Sequence, residues 1–183
     1  MLKKISTISI FAIFILCFLT HFIYAWFPNF FFSLLFPVNE SIWEHMKMIV
    51  SSIIIWETIV YFILKQFDVK FNNFLFAVFV MCISSIVIFL IIYFPIYSFV
   101  GDNFILSVVC LFITIYFANV LDFYIMKQNH IKYGFAVGLI GIILIYLIFA
   151  LFTYLPPKGI IFVDPRNNNY GISFLNNVLI SSL

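Results

Sequence analysis

The chain has 183 residues, of which 66% are hydrophobic, 22% aromatic and 9% charged, with a formal net charge of +2 and a mean hydropathy of +1.22. Too little polar surface exists to cover a water-soluble body of this size, so composition excludes a soluble globular fold and makes a lipid bilayer the expected solvent. The net charge is too small to point to nucleic acid, and the basic residues are better explained by membrane topology.

A spanning helix needs roughly 20 mostly apolar residues, and the first such stretch runs from Ile5 to Trp26. Lys3 and Lys4 precede it as in a signal peptide. The apolar run is longer than a cleavable one and has no clear small-x-small site, so we expect it to remain as a span. Phe27 to Phe36, aromatic and bounded by Pro28 and Pro37, is too short to cross and is expected in the membrane interface.

Pro37 and Asn39 then predict a helix start with Asn39 as N-cap, opening a second span from Ser41 to Leu64. Glu40 and Glu44 fall in its first turns, where carboxylates complement the helix dipole. At about 100° per residue, Glu40, Glu44, Lys47, Ser51 and Thr58 fall near one line. That predicts a polar stripe facing the bundle, with His45 turned toward a different neighbour such as the first span.

A charged loop, Lys65 to Lys70, leads to a third span from Phe71 to Phe94. Pro95, Gly101 and Asp102 predict a turn before the fourth, Asn103 to Met126. The fifth, Tyr133 to Leu155, carries Gly134 and Gly138 four apart with Gly141 following, a small-residue face that permits close helix approach. Cys17, Cys82 and Cys110 lie in separate spans and read as packing thiols. Pro156-Pro157 ends the last span. Gly159 to Val163 has strand character, and the turn-rich run Asp164 to Gly171 is expected to close a small hairpin. Ile172 to Leu183 is too short to span and is expected on the outer surface.

The fold class expected is therefore all-α: an integral membrane bundle of about five transmembrane helices over residues 1–155, with a short extracytoplasmic tail over residues 156–183. Of the nine basic residues, Lys3, Lys4, Lys65, Lys70, Lys127 and Lys132 fall on one side, and Lys47, Lys158 and Arg166 on the other. The positive-inside rule then places the N-terminus inside and the C-terminus outside. The wealth of Phe, Ile, Asn and Lys is what an AT-rich bacterial genome writes, which makes the cytoplasmic membrane the expected location.

The scarce polar groups fall in two layers. In the outer one, His21, Glu40, Glu44 and His45 are the candidate catalytic residues. His21, Glu44, His45 and Asp164 are candidate metal ligands, since imidazole and carboxylate suit a divalent ion and an acid paired with a histidine suits proton transfer. Three uses stay open: capping with ion pairs such as Glu44 to Lys47, an enzymatic or metal site, and polar ligand binding. No metalloprotease helix, nucleophile elbow or phosphate loop narrows the choice, and no cofactor is implied. The inner layer comprises Glu57, Asn119 and Asp122, read as structural, with Glu57 the hardest to explain. The partners expected are the bilayer with either a lipid-like substrate or another membrane protein, which leaves an outer-leaflet enzyme and a non-catalytic accessory subunit as rival functions.

The string Pro37-Val38-Asn39-Glu40-Ser41-Ile42-Trp43-Glu44-His45-Met46-Lys47, preceded by His21 and followed by Asp164-Pro165 and Tyr170-Gly171-Ile172, resembles a group of small bacterial multi-pass membrane proteins known as a domain of unknown function. The resemblance covers most of the chain. It implies a five-helix bundle with the end of the first span, the start of the second and the tail on one membrane side, and it implies no activity. Asn167-Asn168-Asn169 departs from the tighter turn the resemblance leads us to expect, and the residues after Ile172 look like an extension.

Overall fold

The computed structural model describes residues 1–172; the stretch expected on the outer surface lies outside the described residues, apart from Ile172. The elements are α1 (Leu2–Trp26), α2 (Phe30–Leu35), α3 (Ile42–Gln66), α4 (Phe74–Val100), α5 (Phe104–Met126) and α6 (Gly134–Tyr154). All but α2 are long and apolar enough to cross a membrane. Large apolar side chains such as Phe62, Ile91, Phe135 and Leu147 point outward from the bundle. This all-helical architecture fits an integral membrane protein, because a helix satisfies its backbone internally and can expose such side chains to lipid.

The boundaries follow from local chemistry. Asn29 starts α2 by accepting a hydrogen bond from Phe32 N at 3.0 Å, so the short aromatic connection is a capped helical turn. The cap of α3 is Ser41, whose hydroxyl accepts from Glu44 N at 3.3 Å, and not Asn39 as expected. Asn39 instead accepts from Ser41 N at 2.9 Å and donates to Gly171 O at 2.9 Å, which ties the start of α3 to the tail. Pro95 does not turn the chain: α4 runs through it to Val100. Proline removes one donor and one helical bond, a loss that spanning helices tolerate. The helix stops at Gly101, whose φ of +78° suits glycine.

Helix α4 packs against α3, α5 and α6, while α1 packs against α3 and α5. The α4–α6 contact depends on glycine. A Cβ at Gly138 would lie 2.5 Å from Leu75 O, and one at Gly141 would lie 2.4 Å from the Phe79 ring. The small-residue face is thus used inside the bundle. In the tail, Val163 and Tyr170 form an isolated antiparallel bridge with no extended strand, so the expected hairpin reduces to one turn. It folds back over the helix ends through Trp43 N to Ile161 O and Ile172 N to Thr153 O.

Candidate functional site

At the end of the bundle where α1 stops and α3 begins, two of the chain's three histidines meet one carboxylate. Ser41 has extended backbone, with φ −67° and ψ 154°, so Glu40 lies off the helix and swings toward α1. His21 Nε2 is 3.2 Å from Glu40 Oε2, His45 Nε2 is 3.8 Å from the same oxygen, and the two imidazoles are 5.5 Å apart between centroids. From the tail, Arg166 reaches Glu40 Oε1 at 3.0 Å. Ligand atoms of His21, Glu40 and His45 all lie within 4.8 Å of one another.

The hydrogen bonds orient the rings. His45 Nδ1 lies 2.9 Å from Ser41 O. A carbonyl only accepts, so Nδ1 carries the proton, and a neutral His45 directs the lone pair of Nε2 toward Glu40. His21 Nδ1 is buried without a hydrogen-bond partner among the described residues. Partial burial pushes the Glu40 carboxyl up. The His21 hydrogen bond and the nearby charges of His21, His45 and Arg166 outweigh that and hold it below its ordinary value.

These side chains form the polar wall of a cavity of about 210 Å³, whose other walls include Phe18, Phe22, Phe104 and Leu111, with Asp102 at the rim. Tyr93 donates to Asp102 Oδ1 at 3.4 Å. The cavity is amphipathic: one side offers imidazole, carboxylate and guanidinium, the other offers rings and aliphatic carbon.

A second polar cluster lies on another face of α3. Lys47 Nζ is 2.6 Å from Glu44 Oε2 and donates to Ser33 O at 2.8 Å and to Thr153 Oγ1 at 2.9 Å. Thr153 donates in turn to Glu44 Oε1 at 2.7 Å, and Val38 N donates to Glu44 Oε2 at 3.1 Å. Ser33 and Tyr154 share a hydrogen bond of 2.6 Å. A buried ion pair of this kind persists only when its remaining donors and acceptors are occupied, and here they join α2, α3 and α6.

A family model for a family of unknown function, DUF6512, matches residues 1–172. The chain belongs to this family. No curated protein matches it, nor does any solved structure.

In this DUF6512 chain the outer-layer residues divide. His21, Glu40 and His45 converge as one group. Glu44 faces Lys47 instead, one residue and about 100° of helical phase away from His45. Asp164 is buried and stabilises the tail turn, accepting from Arg166 N at 2.9 Å; it is not among the three clustered ligands. The expected stripe holds for Glu44, Lys47 and Ser51, which bonds Leu35 O and Tyr146. It fails at Thr58, which is exposed and bonds its own helix at Ile54 O. In the inner layer, Glu57 and Asp122 are buried, and both Glu57 oxygens and Asp122 Oδ1 have no hydrogen-bond partner among the described residues. Asn119 accepts from Ser6 at 2.8 Å, a cross-helix bond of structural kind.

Arg166 and Asp102 are the site residues that sequence reasoning did not place. Arg166 carries a signal nonetheless. It is the chain's only arginine, and arginine suits carboxylate recognition better than the lysines used elsewhere.

Proposed function

We propose that this DUF6512 member is a bacterial cytoplasmic-membrane protein that acts at the outer leaflet on a lipid or lipid-linked substrate. His21 and His45 exchange protons with the substrate; Glu40 holds His21 by a hydrogen bond and sets the charge beside both rings. The observation that carries the reading is the shared carboxylate at the wall of an otherwise apolar cavity. Phe22 and Phe104, which line that cavity, are also exposed at the bundle surface, so an acyl or prenyl chain has a lateral route to the histidines. A polar head carried on an apolar tail matches the division of the walls.

The orientation comes from charge. Lys47 is sequestered in its ion pair with Glu44, so the exposed basic residues divide more sharply than a sequence count suggests. Lys65, Lys70 and Lys127 line a groove around the α3–α4 connection, whereas Lys158 and Arg166 belong to the tail, from which Arg166 reaches Glu40. The positive-inside rule assigns the lysine end to the cytoplasm and the site to the opposite face. A non-catalytic accessory subunit that docked through the small-residue face and the tail would have only the tail left for a partner, because α4 packs on Gly138 and Gly141.

The test compares membrane lipids from three strains: a null, the null complemented with wild type, and the null complemented with Glu40→Gln at equal protein level. One lipid or lipid-linked class should accumulate in the null and the Glu40→Gln strain alike. Identical lipid profiles in all three would refute the reading.

A further inference from the structure

His21, Glu40 and His45 bring three potential ligand atoms together beside the cavity, all within 4.8 Å of one another, an arrangement suited to a cation. With Nδ1 donating to Ser41 O, the neutral form of His45 presents its Nε2 lone pair 3.8 Å from the Glu40 carboxylate. His21 contributes a second imidazole nitrogen at 3.2 Å from the same oxygen. Donor atoms bound at 2.0 to 2.1 Å around a tetrahedral ion are separated by about 3.3 to 3.4 Å, and the two separations straddle that value. For His21, using Nε2 as a ligand puts the ring proton on Nδ1, the buried atom without a partner among the described residues, a cost that the metal–nitrogen bond must exceed.

Two of the three ligands, His45 and Glu40, have the surrounding contacts of a metal centre. A ligating histidine ordinarily donates its second nitrogen to a carbonyl or carboxylate, and a ligating carboxylate is itself held by a hydrogen bond. His45 donates Nδ1 to Ser41 O. Arg166 holds Glu40 Oε1 at 3.0 Å, which leaves Oε2 for the ion. Three protein ligands with an open fourth position distinguish catalytic zinc sites from closed structural ones, and the fourth position here opens on the cavity of about 210 Å³.

We propose that His21, Glu40 and His45 form a binding site for a divalent cation of zinc-like ligand preference, with its free coordination position directed into the cavity. The inference rests on the reading above for the cavity's lipid-borne substrate but not for the binding itself, and it replaces direct proton exchange by His21 and His45 with ligation by the same nitrogens. A bound ion would supply a Lewis acid or an activated water to the head of a lipid-borne substrate.

The experiment uses the full chain purified in detergent, stripped with chelator, dialysed against zinc and assayed for bound metal. Wild type should hold one zinc per chain, and His130→Ala should hold the same, since His130 is exposed and belongs to a different cavity. Glu40→Gln and His45→Asn should each lose at least about tenfold in affinity, in line with the sensitivity of metal sites to ligand-shell changes. Should either variant fail to fold, His21→Asn and the visible absorption of cobalt-loaded wild type provide independent readouts. Wild type without zinc, or ligand variants that bind as well as wild type, would overturn the site. Altered lipids in Glu40→Gln cells together with metal-free protein would remove the metal and keep the acid–base reading. Zinc bound through these residues with unaltered lipids would do the reverse.

Discussion

Lys47 Nζ and Glu44 Oε2 are 2.6 Å apart with both side chains sealed from solvent, and Thr153 bonds to both partners. Removing one charge strands the other. Lys47→Met should destabilise the protein by about 3 to 5 kcal/mol, the usual cost of breaking a buried pair, whereas Glu44→Gln combined with Lys47→Met should recover much of the loss. Thermal unfolding in detergent measures both, and strictly additive effects would contradict the pairing.

The glycines of α6 should differ in tolerance. Gly138→Ala drives a Cβ into the backbone at Leu75, which cannot move without α4, whereas Gly141→Ala meets the Phe79 ring and Gly134→Ala meets ordinary contacts no closer than 3.4 Å. Melting temperatures should fall most for Gly138→Ala, less for Gly141→Ala and least for Gly134→Ala. A different order would show that the α4–α6 approach is looser than described.

Cysteine labelling can read the orientation directly. Cys17, Cys82 and Cys110 are buried, so single introduced cysteines report without removal of the native ones. In intact cells a membrane-impermeant maleimide should label Lys158→Cys and reach Lys127→Cys only after lysis. The opposite pattern would invert the topology.

The Arg166 contact with Glu40 should matter little to stability. Arg166 remains 69% exposed, and ion pairs of that kind contribute about 0 to 1 kcal/mol, so Arg166→Gln should leave the melting temperature almost unchanged. Gly171→Ala should be far worse, because Gly171 has a φ of +57° and a Cβ there would lie 2.4 Å from Thr153 O. Limited proteolysis of the tail should separate the two: rapid for Gly171→Ala, near wild type for Arg166→Gln. Equal rates would mean that the backbone anchor is not what holds the tail.

The spans were legible because hydropathy is a sum over about 20 residues, and none of the local errors was large enough to alter it. The α4 boundary moved because proline's signal is the loss of one hydrogen bond, small beside the continued apolar run. Depth along the helices suffices to put His21, Glu40 and His45 in one candidate set, but it adds Glu44 and Asp164, which face other neighbours. Glu44 was grouped with them because adjacent residues share a depth, although helical phase sends them to different neighbours. Glu40 has no helical phase, since the extended backbone at Ser41 precedes the first turn, and a regular 100° step therefore misplaces it. Contacts such as Thr153 with Glu44, or Arg166 with Glu40, span more than 100 residues and depend on packing that no local pattern encodes.

The tail has a bearing on biogenesis. Glu40 receives His21 from the first helix and Arg166 from beyond the last, and Asn39 is fastened to Gly171. A ribosome must therefore have made and inserted every span before the histidine centre acquires its final contacts. A chain with one helix misinserted would leave residues 156–172 on the wrong side of the bilayer and the centre without its cover. Partly assembled intermediates would then lack these contacts, which makes the cluster a product of the complete bundle and not of any one helix pair.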